Sequence, residues 1–410
     1  MNAEIVGIGT ELLLGQIANT NAQAISSSLA GIGVDVYFHV VVGDNHQRIV
    51  STLRRALERS DVVVITGGLG PTPDDITREA VAEVTGATLK RDETLVAAVE
   101  GIFRKLGRDM PLENLRQADL PTGATAIAPE GTAPGFWLEH EGSLMFAVPG
   151  VPWEMKAMLN KTILPVLTER TGGGTTMSKE VLVVGLGESR THELIRDLVD
   201  AQTNPTIAYR AGAGIVRVRV TAKAANETTA VGLIRPVESA IRERLGHHAV
   251  PGDAPSVADA LGNMLRDRGA TVAVAESLTG GLIGAALTGT TGAGDYFAGA
   301  IACYSSESKR DVLGIDEAIL TGPGAVSEEA AAAMAEGAAQ RFGADLGLSV
   351  TGVAGPSEQE GKPVGTIFVG ASFGGRTEVR HVQAYGDRDN IRAMAATATL
   401  DLGRRLLQEQ

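Results

Sequence analysis

The sequence predicts an α/β protein whose parallel sheets are covered by helices and divided among two or three domains. Three apolar segments, Val62–Ile65, Thr271–Ala275 and Asp345–Val350, each run directly into a glycine-rich turn. Continuous apolar segments are typical of parallel strands, because both faces of such a sheet are buried. The 51 glycines indicate many tight turns, and a chain of 410 residues exceeds the usual size of one domain.

The composition narrows the classes of function. Hydrophobic residues make up 44% of the chain, enough to build buried cores, and the formal charge of −13 disfavours nucleic acid as a partner. The single cysteine, Cys303, excludes a disulfide framework and a cysteine metal site. The start MNAEIVGIG reads as a short strand and not as a signal sequence, and no apolar run approaches ~20 residues. We therefore expect a cytoplasmic protein without a membrane partner.

The first strand, Ala3–Ile8, is followed by GTELLLGQIANTN. The polar side chains of this segment lie at a turn where open α/β sheets bind ligands. Alternatively, Asn19 or Thr20 only caps a helix over Ala22–Leu29. The candidate residues here are Glu11, Gln16, Asn19 and Asn21. The next predicted elements are strand Val34–Val42 and helix Asn45–Ser60.

The strongest motif is DVVVITGGLGPTPDDIT, in which a buried strand meets a glycine-rich turn and a helix. Without a Cβ atom, glycines let backbone amides approach a ligand, and amides at the start of a helix attract phosphate. The residues expected to contact substrate are Gly67, Gly68, Gly70 and Thr72.

Two carboxylates, Asp74 and Asp75, close this motif. They would repel a phosphate unless a cation lay between, so the pair indicates a diphosphate bridged by Mg²⁺. The alternative is that one aspartate only caps the helix predicted over Ile76–Val84. A further helix is predicted over Thr94–Leu106.

The segments GTAPGF and PGVPWEM form two more loops rich in Pro and Gly. Glu154 begins a helix beside them, and ordinary turn chemistry explains both loops as well as a binding rim does. The rim residues would be Gly131, Thr132, Pro134 and Gly135.

Four of these segments, GTELLLGQIANTN, GGLGPTPDDIT, GTAPGF and PGVPWEM, resemble the CinA (competence/damage-inducible) family in order and spacing. Its amino-terminal domain is similar to the molybdopterin-binding fold. The resemblance implies a three-layer α/β/α domain over residues 1–170 that hydrolyses ADP-ribose to AMP and ribose 5-phosphate with a divalent cation. It implies Asp74 and Asp75 as metal or water-orienting carboxylates, with Glu11 and Glu154 as further metal ligands.

Residues 171–250 are predicted to form a small α+β domain after a linker, TGGGTT at Thr171–Thr176. The order strand, helix, strand, strand, helix, strand is ferredoxin-like, and this piece of the CinA family resembles a KH-type domain. We find no GxxG loop flanked by basic residues, and 176–250 hold ten Lys or Arg against eight Asp or Glu, so we do not expect RNA binding. The predicted elements are Val181–Val184, Glu188–Val199, Thr206–Arg210, Ile215–Ala222, Glu227–Leu245 and a short last strand.

The third domain, residues 251–410, begins with helix Val257–Arg268 and a strand that runs into AESLTGGLIGAAL. Ser277 lies at the bend, and amides in the first turn of the next helix can bind an oxyanion or a phosphate. The alternative is that Ser277 is only an N-cap. The first-turn candidates are Thr279, Gly280 and Gly281.

The segment AIACYSSESK places Tyr304 at a strand end and Lys309 five residues on. Ser, Tyr and Lys that converge at strand ends can activate a hydroxyl without histidine, because a desolvated amine with a lowered pKa takes the proton. Taken alone, Lys309 reads as a surface charge and Tyr304 as a residue at the edge of the core. Cys303 alternates with Tyr304 and is expected in the core.

TGVAGP is a third strand-to-glycine turn. Its residues Thr351, Gly352, Ala354 and Gly355 can hold a phosphate or ribose, and a plain crossover turn is the alternative. The remaining predicted elements are a helix capped by Ser327 that runs through Arg341, strand Val364–Phe373 and helix Arg388–Leu407.

AESLTGG, AIACYSSESK, GAVSE and TGVAGP with KPVGT resemble the carboxy-terminal half of the same family, which is similar to nicotinamide mononucleotide (NMN) deamidase. The resemblance implies conversion of NMN to nicotinate mononucleotide and ammonia without a cofactor. It casts Ser277 as nucleophile or water activator, Lys309 as base and Tyr304 as a relaying or orienting group. After AGP the family usually has a run of glycines, whereas this chain has SEQEG, and a glutamate near a phosphate is unfavourable.

Together these resemblances imply a bifunctional pyridine-nucleotide recycling hydrolase, acting on NMN and ADP-ribose and assembled as a homodimer. One alternative is a non-catalytic scaffold that binds a pterin or nucleotide, since the same fold serves molybdenum cofactor chemistry. The other is a competence or DNA-damage interaction protein, for which the charge of −13 predicts no DNA binding at physiological salt.

Overall fold

A computed structural model describes residues 1–172 and 174–409 of the chain. The contacts divide the chain into two units. Unit 1 combines Met1–Met177 with Ala222–Leu233, and unit 2 combines Ser178–Thr221 with Ile234–Gln410. The division into three domains at 170 and 250 stays a prediction. Gly173 of the expected linker and the terminal Gln410 lie outside the described residues.

Unit 1 is built on a six-stranded sheet with the order β2-β1-β3-β8-β7-β6, beside a two-stranded sheet of β4 and β5. Strands β1, β2, β3 and β8 are parallel, and β6 and β7 are antiparallel to their neighbours. The strands are β1 (Asn2–Ile8), β2 (Asp35–Val42), β3 (Val62–Thr66), β4 (Leu89–Arg91), β5 (Asp119–Pro121), β6 (Thr125–Ile127), β7 (Gly135–His140) and β8 (Ser143–Val148).

The helices of unit 1 cover both faces of the larger sheet. Along β3, Val62 and Val64 pack with Ile25 on one face, and Val63 and Ile65 pack on the other. This alternation explains the continuous apolar run and confirms the predicted three-layer α/β/α arrangement. The helices are α1 (Thr10–Leu13), α2 (Thr20–Gly31), α3 (His46–Leu57), α4 (Thr77–Thr85), α5 (Glu93–Lys105), α6 (Pro152–Met158) and α7 (Leu164–Thr171), with a 3₁₀ segment Leu112–Ala118 and a π segment Leu159–Ile163.

The middle region forms a three-stranded sheet with the order β10-β11-β9 and two helices, consistent with the predicted ferredoxin-like pattern. The predicted last strand is reduced to one isolated bridge between Val183 and Ala249. The elements are β9 (Thr175–Val184), α8 (Glu188–Asp200), β10 (Thr206–Gly212), β11 (Ile215–Ala224) and α9 (Glu227–Leu245), followed by the 3₁₀ segment Gly246–His248.

The larger sheet of unit 2 has five strands in the order β13-β12-β14-β15-β16. Strands β12, β13 and β14 are parallel, whereas β15 and β16 form an antiparallel pair at one edge. The sequence did not predict β16, which is largely polar. The strands are β12 (Val272–Glu276), β13 (Phe297–Ala302), β14 (Leu346–Gly352), β15 (Thr366–Phe373) and β16 (Arg376–Gln383).

Helices again cover both faces of this sheet. Val274 packs with the last helix on one face, and Ala273, Ala275 and the buried Cys303 pack with Met334 on the other. In the described parts of the chain, no helix has the length and apolar character needed to cross a membrane. The helices are α10 (Val257–Arg268), α11 (Leu282–Thr288), α12 (Ser306–Leu313), α13 (Glu317–Ile319), α14 (Glu328–Phe342) and α15 (Arg388–Gln408), with short 3₁₀ and π segments at Ala293–Asp295 and Leu320–Gly324.

Candidate functional site

The first candidate site lies in unit 2, at the carboxyl edge of β12, β13 and β14. Because these strands are parallel, the residues that follow them meet at one edge of the sheet. The amide of Ser277 donates to Val350 O at 3.0 Å, and the amide of Cys303 donates to Glu276 O at 2.8 Å. The sheet therefore brings together segments that are far apart in the sequence.

Ser277 and Lys309 are in direct contact at this edge. Lys309 Nζ lies 3.2 Å from Ser277 Oγ, and it also donates to the backbone oxygen of Tyr304 at 3.4 Å. Helix α12 carries the lysine and begins at a capping box between Ser305 and Ser308, which explains the SSESK sequence. Only 2% of Lys309 is exposed, and this burial lowers the pKa of its amine.

The start of helix α11 does not offer free amides in the way that the sequence suggested. The amides of Gly281, Ile283 and Gly284 donate to the buried Glu276 carboxylate at 2.9, 3.2 and 2.8 Å. The amide of Gly280 donates to Ser277 O at 3.1 Å. Glu276 thus occupies the place predicted for an oxyanion, a role that sequence reasoning missed.

The predicted start of helix α11 and the expected place of Thr279, Gly280 and Gly281 in its first turn are also wrong. Helix α11 begins at Leu282, so Thr279 and Gly280 precede it, and its N-cap is Gly281 and not Ser277. Thr279 is fully buried, and neither it nor the two glycines line the cleft beside Ser277.

A cleft of about 140 Å³ opens beside the Ser277–Lys309 pair. Three predicted binding residues of the TGVAGP turn, Thr351, Gly352 and Gly355, line it. The cleft is also lined by Leu278, Tyr304, Ala325, Val326, Val353, Ala354, Ser357, Gln359 and Arg388.

Tyr304 stands at the mouth of the cleft, 64% exposed, and its position depends on Arg388. Arg388 Nη2 donates to the Tyr304 hydroxyl at 3.1 Å, and Nη1 donates to Gly355 O at 2.6 Å. Sequence reasoning missed this arginine. The available signal was its place as the first residue of the last helix, directly after the N-cap Asp387.

The second candidate site lies in unit 1, at the carboxyl edge of β1, β3 and β8. Asn21 joins two of these strand ends, since its Nδ2 donates to Thr66 Oγ1 at 2.9 Å and to Gly150 O at 2.8 Å. Its Oδ1 is buried without a hydrogen-bond partner among the described residues. Asn19, in contrast, accepts from the amide of Ala22 at 3.1 Å, so the capping interpretation holds for it.

The GGLG turn follows β3 at this edge. Gly67 and Gly68 have φ angles of 107° and 66°, in the region that favours glycine. A Cβ atom at Gly67 would collide with Ile8 O, and one at Gly70 would collide with the Asp75 carboxylate. The amide of Gly67 is already bonded to Val148 O at 3.0 Å, so this one is part of the sheet.

Asp74 and Asp75 gather around Thr72. The Thr72 amide donates to Asp75 Oδ2 at 2.9 Å, and its hydroxyl contacts both carboxylates. The hydrogen bond from Thr72 lowers the pKa of Asp74. The N-cap of helix α4 is Ile76, without a side-chain hydrogen bond, so the capping interpretation of the two aspartates is wrong.

The other two predicted metal ligands, Glu11 and Glu154, each lie beside a different glycine. Glu154 is buried against Gly131, and Glu11 lies against Gly9, where in both cases a Cβ atom would collide with the carboxylate. Burial raises the pKa of Glu154, whose Oε2 has no partner in the described ranges.

The remaining predicted residue, Gln16, is exposed, and its backbone N–H donates to Glu11 O at 3.0 Å. Within residues 1–172 and 174–409, no three His, Cys, Asp or Glu side chains form a group that could hold a metal. The Asp74–Asp75 pair still suits Mg²⁺, which binds through one or two carboxylates together with substrate phosphates and water.

Comparison with known families matches nearly the whole chain. Residues 4–169 match the model described as "Probable molybdopterin binding domain". Residues 178–250 match "Damage-inducible protein CinA KH domain", and residues 254–407 match "CinA C-terminal domain".

Two relatives match nearly the full length of the chain, and one solved structure matches part of it. A CinA-like protein of Frankia casuarinae is 44% identical over 417 residues, which cover 99% of this chain and 96% of that protein. A Bacillus subtilis protein named "Putative competence-damage inducible protein" is 41% identical over 410 residues, which cover 100% of this chain and 99% of that protein. The solved structure of CinA from Thermoplasma acidophilum is 39% identical, covers 40% of this chain and 97% of its own, and has a TM-score of 0.38.

Proposed function

This chain belongs to the CinA family, and we propose that it is a hydrolase with two separate sites for pyridine-nucleotide fragments. The site in unit 2 converts NMN and water to nicotinate mononucleotide and ammonia. The site in unit 1 hydrolyses ADP-ribose to AMP and ribose 5-phosphate. The observation that carries the proposal is the buried contact between Lys309 Nζ and Ser277 Oγ at 3.2 Å.

This contact supplies a nucleophile and its base. Burial favours the neutral amine, so Lys309 accepts the proton of the Ser277 hydroxyl as Oγ attacks the carboxamide carbon. The resulting ammonium gives a proton to the departing nitrogen, ammonia leaves, and an ester joins Ser277 to the nicotinoyl group. Water then attacks the ester, loses a proton to Lys309 and releases the carboxylate, while Ser277 regains its hydrogen.

Tyr304 and the TGVAGP turn have the task of placing the substrate. Tyr304 lines the cleft, and Arg388 holds its hydroxyl. The aromatic face of Tyr304 can pack against the pyridine ring, and Thr351 and Gly352 line the same cleft. In this arrangement no histidine or metal takes part in the deamidation.

For the site in unit 1, Asp74 and Asp75 are the residues that would hold Mg²⁺. When bound, the cation would polarise the diphosphate and offset its negative charge. The Thr72 hydroxyl contacts both carboxylates, and its hydrogen bond to Asp74 lowers the pKa of that group, which favours the charged form that a cation needs. Glycine is required at 67 and 70 because Ile8 O and the Asp75 carboxylate lie where a Cβ atom would be, so these two positions shape the turn that holds the carboxylates.

The direct test is to incubate the purified full-length protein with NMN and, separately, with ADP-ribose and Mg²⁺. We expect nicotinate mononucleotide with an equal amount of ammonia in the first reaction, and AMP with ribose 5-phosphate in the second. Saturable binding of either ligand without product formation would contradict catalysis at that site and favour a scaffold.

A further inference from the structure

The SEQEG segment, residues 357–361, forms a tight turn next to the Ser277–Lys309 cleft. The amide of Gln359 donates to Lys362 O at 3.2 Å, and the amide of Lys362 donates to Gln359 O at 2.9 Å. Between them Glu360 has a φ angle of 53°, a conformation that few residues with a side chain adopt. The turn thereby directs the Glu360 side chain back toward residues 324–326.

The Glu360 carboxylate is held there by two backbone amides. Ala325 N donates to Oε1 at 3.2 Å, and Val326 N donates to Oε2 at 3.0 Å. Both residues line the cleft that contains Ser277 and Lys309. The Lys362 ammonium lies 3.9 Å from the same carboxylate. This edge of the cleft therefore already accommodates one anionic group of the chain itself.

The two amides are fixed before any ligand arrives. The Thr351 hydroxyl donates to Ala325 O at 2.6 Å, and the Ser327 hydroxyl donates to Gly324 O at 2.8 Å. A peptide segment held in this way presents its N–H groups without reorganisation, which favours an anion over water. Glu360, with a side chain that is 31% exposed, can leave these amides for solvent more easily than the amides can move.

We propose that Glu360 is a specificity-determining residue that competes with the phosphate of the substrate for the amides of Ala325 and Val326. The inference rests on the proposed function in so far as the substrate is a mononucleotide. A phosphate ester carries up to two negative charges at neutral pH, and it cannot share these amides with a carboxylate. A ligand that must first displace Glu360 binds more weakly, in proportion to the fraction of molecules in which the amides are free.

Inorganic phosphate is the probe that tests this competition without any turnover. Its affinity for the full-length protein is measured by calorimetry for wild type, Glu360→Ala and Glu360→Gln, with Glu358→Ala as the matched control. Glu358 is an exposed carboxylate of the same turn, so its removal changes the local charge equally but leaves Glu360 on the amides. We expect phosphate to bind at least about threefold more tightly to both Glu360 variants, and as in wild type to Glu358→Ala. Unchanged or weaker binding to Glu360→Ala, or equal tightening in Glu358→Ala, would overturn the proposal.

Activity gives a second and independent readout. In Glu360→Ala we expect the KM for NMN to fall while the KM for nicotinamide riboside, which lacks the phosphate, stays constant. Parallel changes for both substrates would indicate a structural effect on the turn and would overturn the competition. If the wild-type protein deamidates neither compound, the proposed function fails, and the phosphate titration still decides the role of Glu360.

Discussion

Lys309 Nζ lies 3.2 Å from Ser277 Oγ although 32 positions separate the two residues in the chain. The interpretation of Lys309 as a surface charge is wrong, because the side chain is almost completely buried. A buried amine that faces a hydroxyl has a chemical use that a solvated ammonium lacks, because burial favours the neutral form, which can accept a proton.

The first prediction concerns the chemistry of this pair. Ser277→Ala and Lys309→Met should each reduce ammonia release from NMN by at least about 100-fold, because each removes a partner in the proton transfer. The methionine fills the space of the lysine stem without supplying a base.

The same two variants provide an internal control. AMP release from ADP-ribose should remain at the wild-type rate, since the expected residues of that reaction lie in unit 1. Lys161→Met, at an exposed lysine of unit 1 paired with Glu130, should leave ammonia release unchanged. Deamidation that survives Ser277→Ala would remove Ser277 from the mechanism.

The second prediction concerns pH. Burial lowers the pKa of Lys309 below its ordinary value of 10.5, so kcat/KM for NMN should rise with pH through that lowered pKa and then level off. In the interval between the lowered pKa and 10.5, the unfolded chain binds more protons than the folded one. The free energy of unfolding should therefore also increase with pH across this interval.

Lys309→Met removes the group responsible and should flatten this part of the stability profile. Urea unfolding of wild type and Lys309→Met measures the difference in the free energy of unfolding. The pH is varied from about 7 to about 10, the range just below the ordinary pKa of lysine. Parallel profiles of the two proteins would show that Lys309 has an ordinary pKa.

The sequence was sufficient for the parallel strands and for the sheet edge at which Ser277, Tyr304 and Lys309 meet. Apolar runs that end at glycine turns reflect burial on both faces of a sheet. The removal of this apolar surface from water is the main contribution that stabilises the sheet. Strand β16 escaped prediction because it is an edge strand with polar side chains, and its pairing with β15 depends on tertiary contacts.

The sequence could not predict which side chains form hydrogen bonds with backbone groups of other segments. The sequence places Glu276 directly after the predicted strand Thr271–Ala275, and only the fold shows that its carboxylate accepts from three amides at the start of helix α11. Arg388 and Glu360 were missed for the same reason, since each bonds to backbone atoms of segments far away in sequence. Such partners leave no periodic pattern along the chain.

The third prediction tests the independence of the two sites by a substitution in unit 1. Asp75→Asn should lower AMP formation from ADP-ribose by at least about 100-fold, because it removes one of two carboxylates expected to hold the cation. Ammonia release from NMN should stay constant. Asp109→Asn, at an exposed aspartate of the same unit, is the matched control and should change neither reaction.

The requirement for a cation can be examined with the wild-type protein alone. Removing divalent cations with EDTA should stop AMP formation, and adding Mg²⁺ back should restore it. AMP formation that persists in EDTA would contradict the role proposed for Asp74 and Asp75.

The fourth prediction concerns Glu154, which is 7% exposed and has one carboxylate oxygen without a partner among the described residues. Burial raises its pKa above the ordinary 4.5, so the folded state binds more protons than the unfolded state between 4.5 and the raised value. The free energy of unfolding should decrease as pH rises through this interval. Glu154→Gln should remove that decrease, because the amide does not titrate.

Urea unfolding from pH 4 to pH 8 measures this effect, over a range chosen around the ordinary carboxyl pKa. Glu130→Gln is the control, since that carboxylate is paired with Lys161 and should lose stability or stay unchanged. A wild-type profile that rises with pH where the Glu154→Gln profile is flat would show that Glu154 is stabilised as a carboxylate.

The fifth prediction concerns Arg388, whose guanidinium joins the Tyr304 hydroxyl to Gly355 O. Arg388→Met removes both hydrogen bonds and keeps much of the side-chain volume. The exposed Tyr304 ring should then sample more rotamers, and the TGVAGP turn should lose its tie to helix α15. Because neither change touches Ser277 or Lys309, we expect the KM for NMN to rise about tenfold, with kcat within about threefold of wild type. Asp389→Asn, at a neighbouring side chain that is 91% exposed, is the control and should leave both constants unchanged. A fall in kcat at constant KM would instead place Arg388 in the chemical step, where its positive charge would act on the transition state.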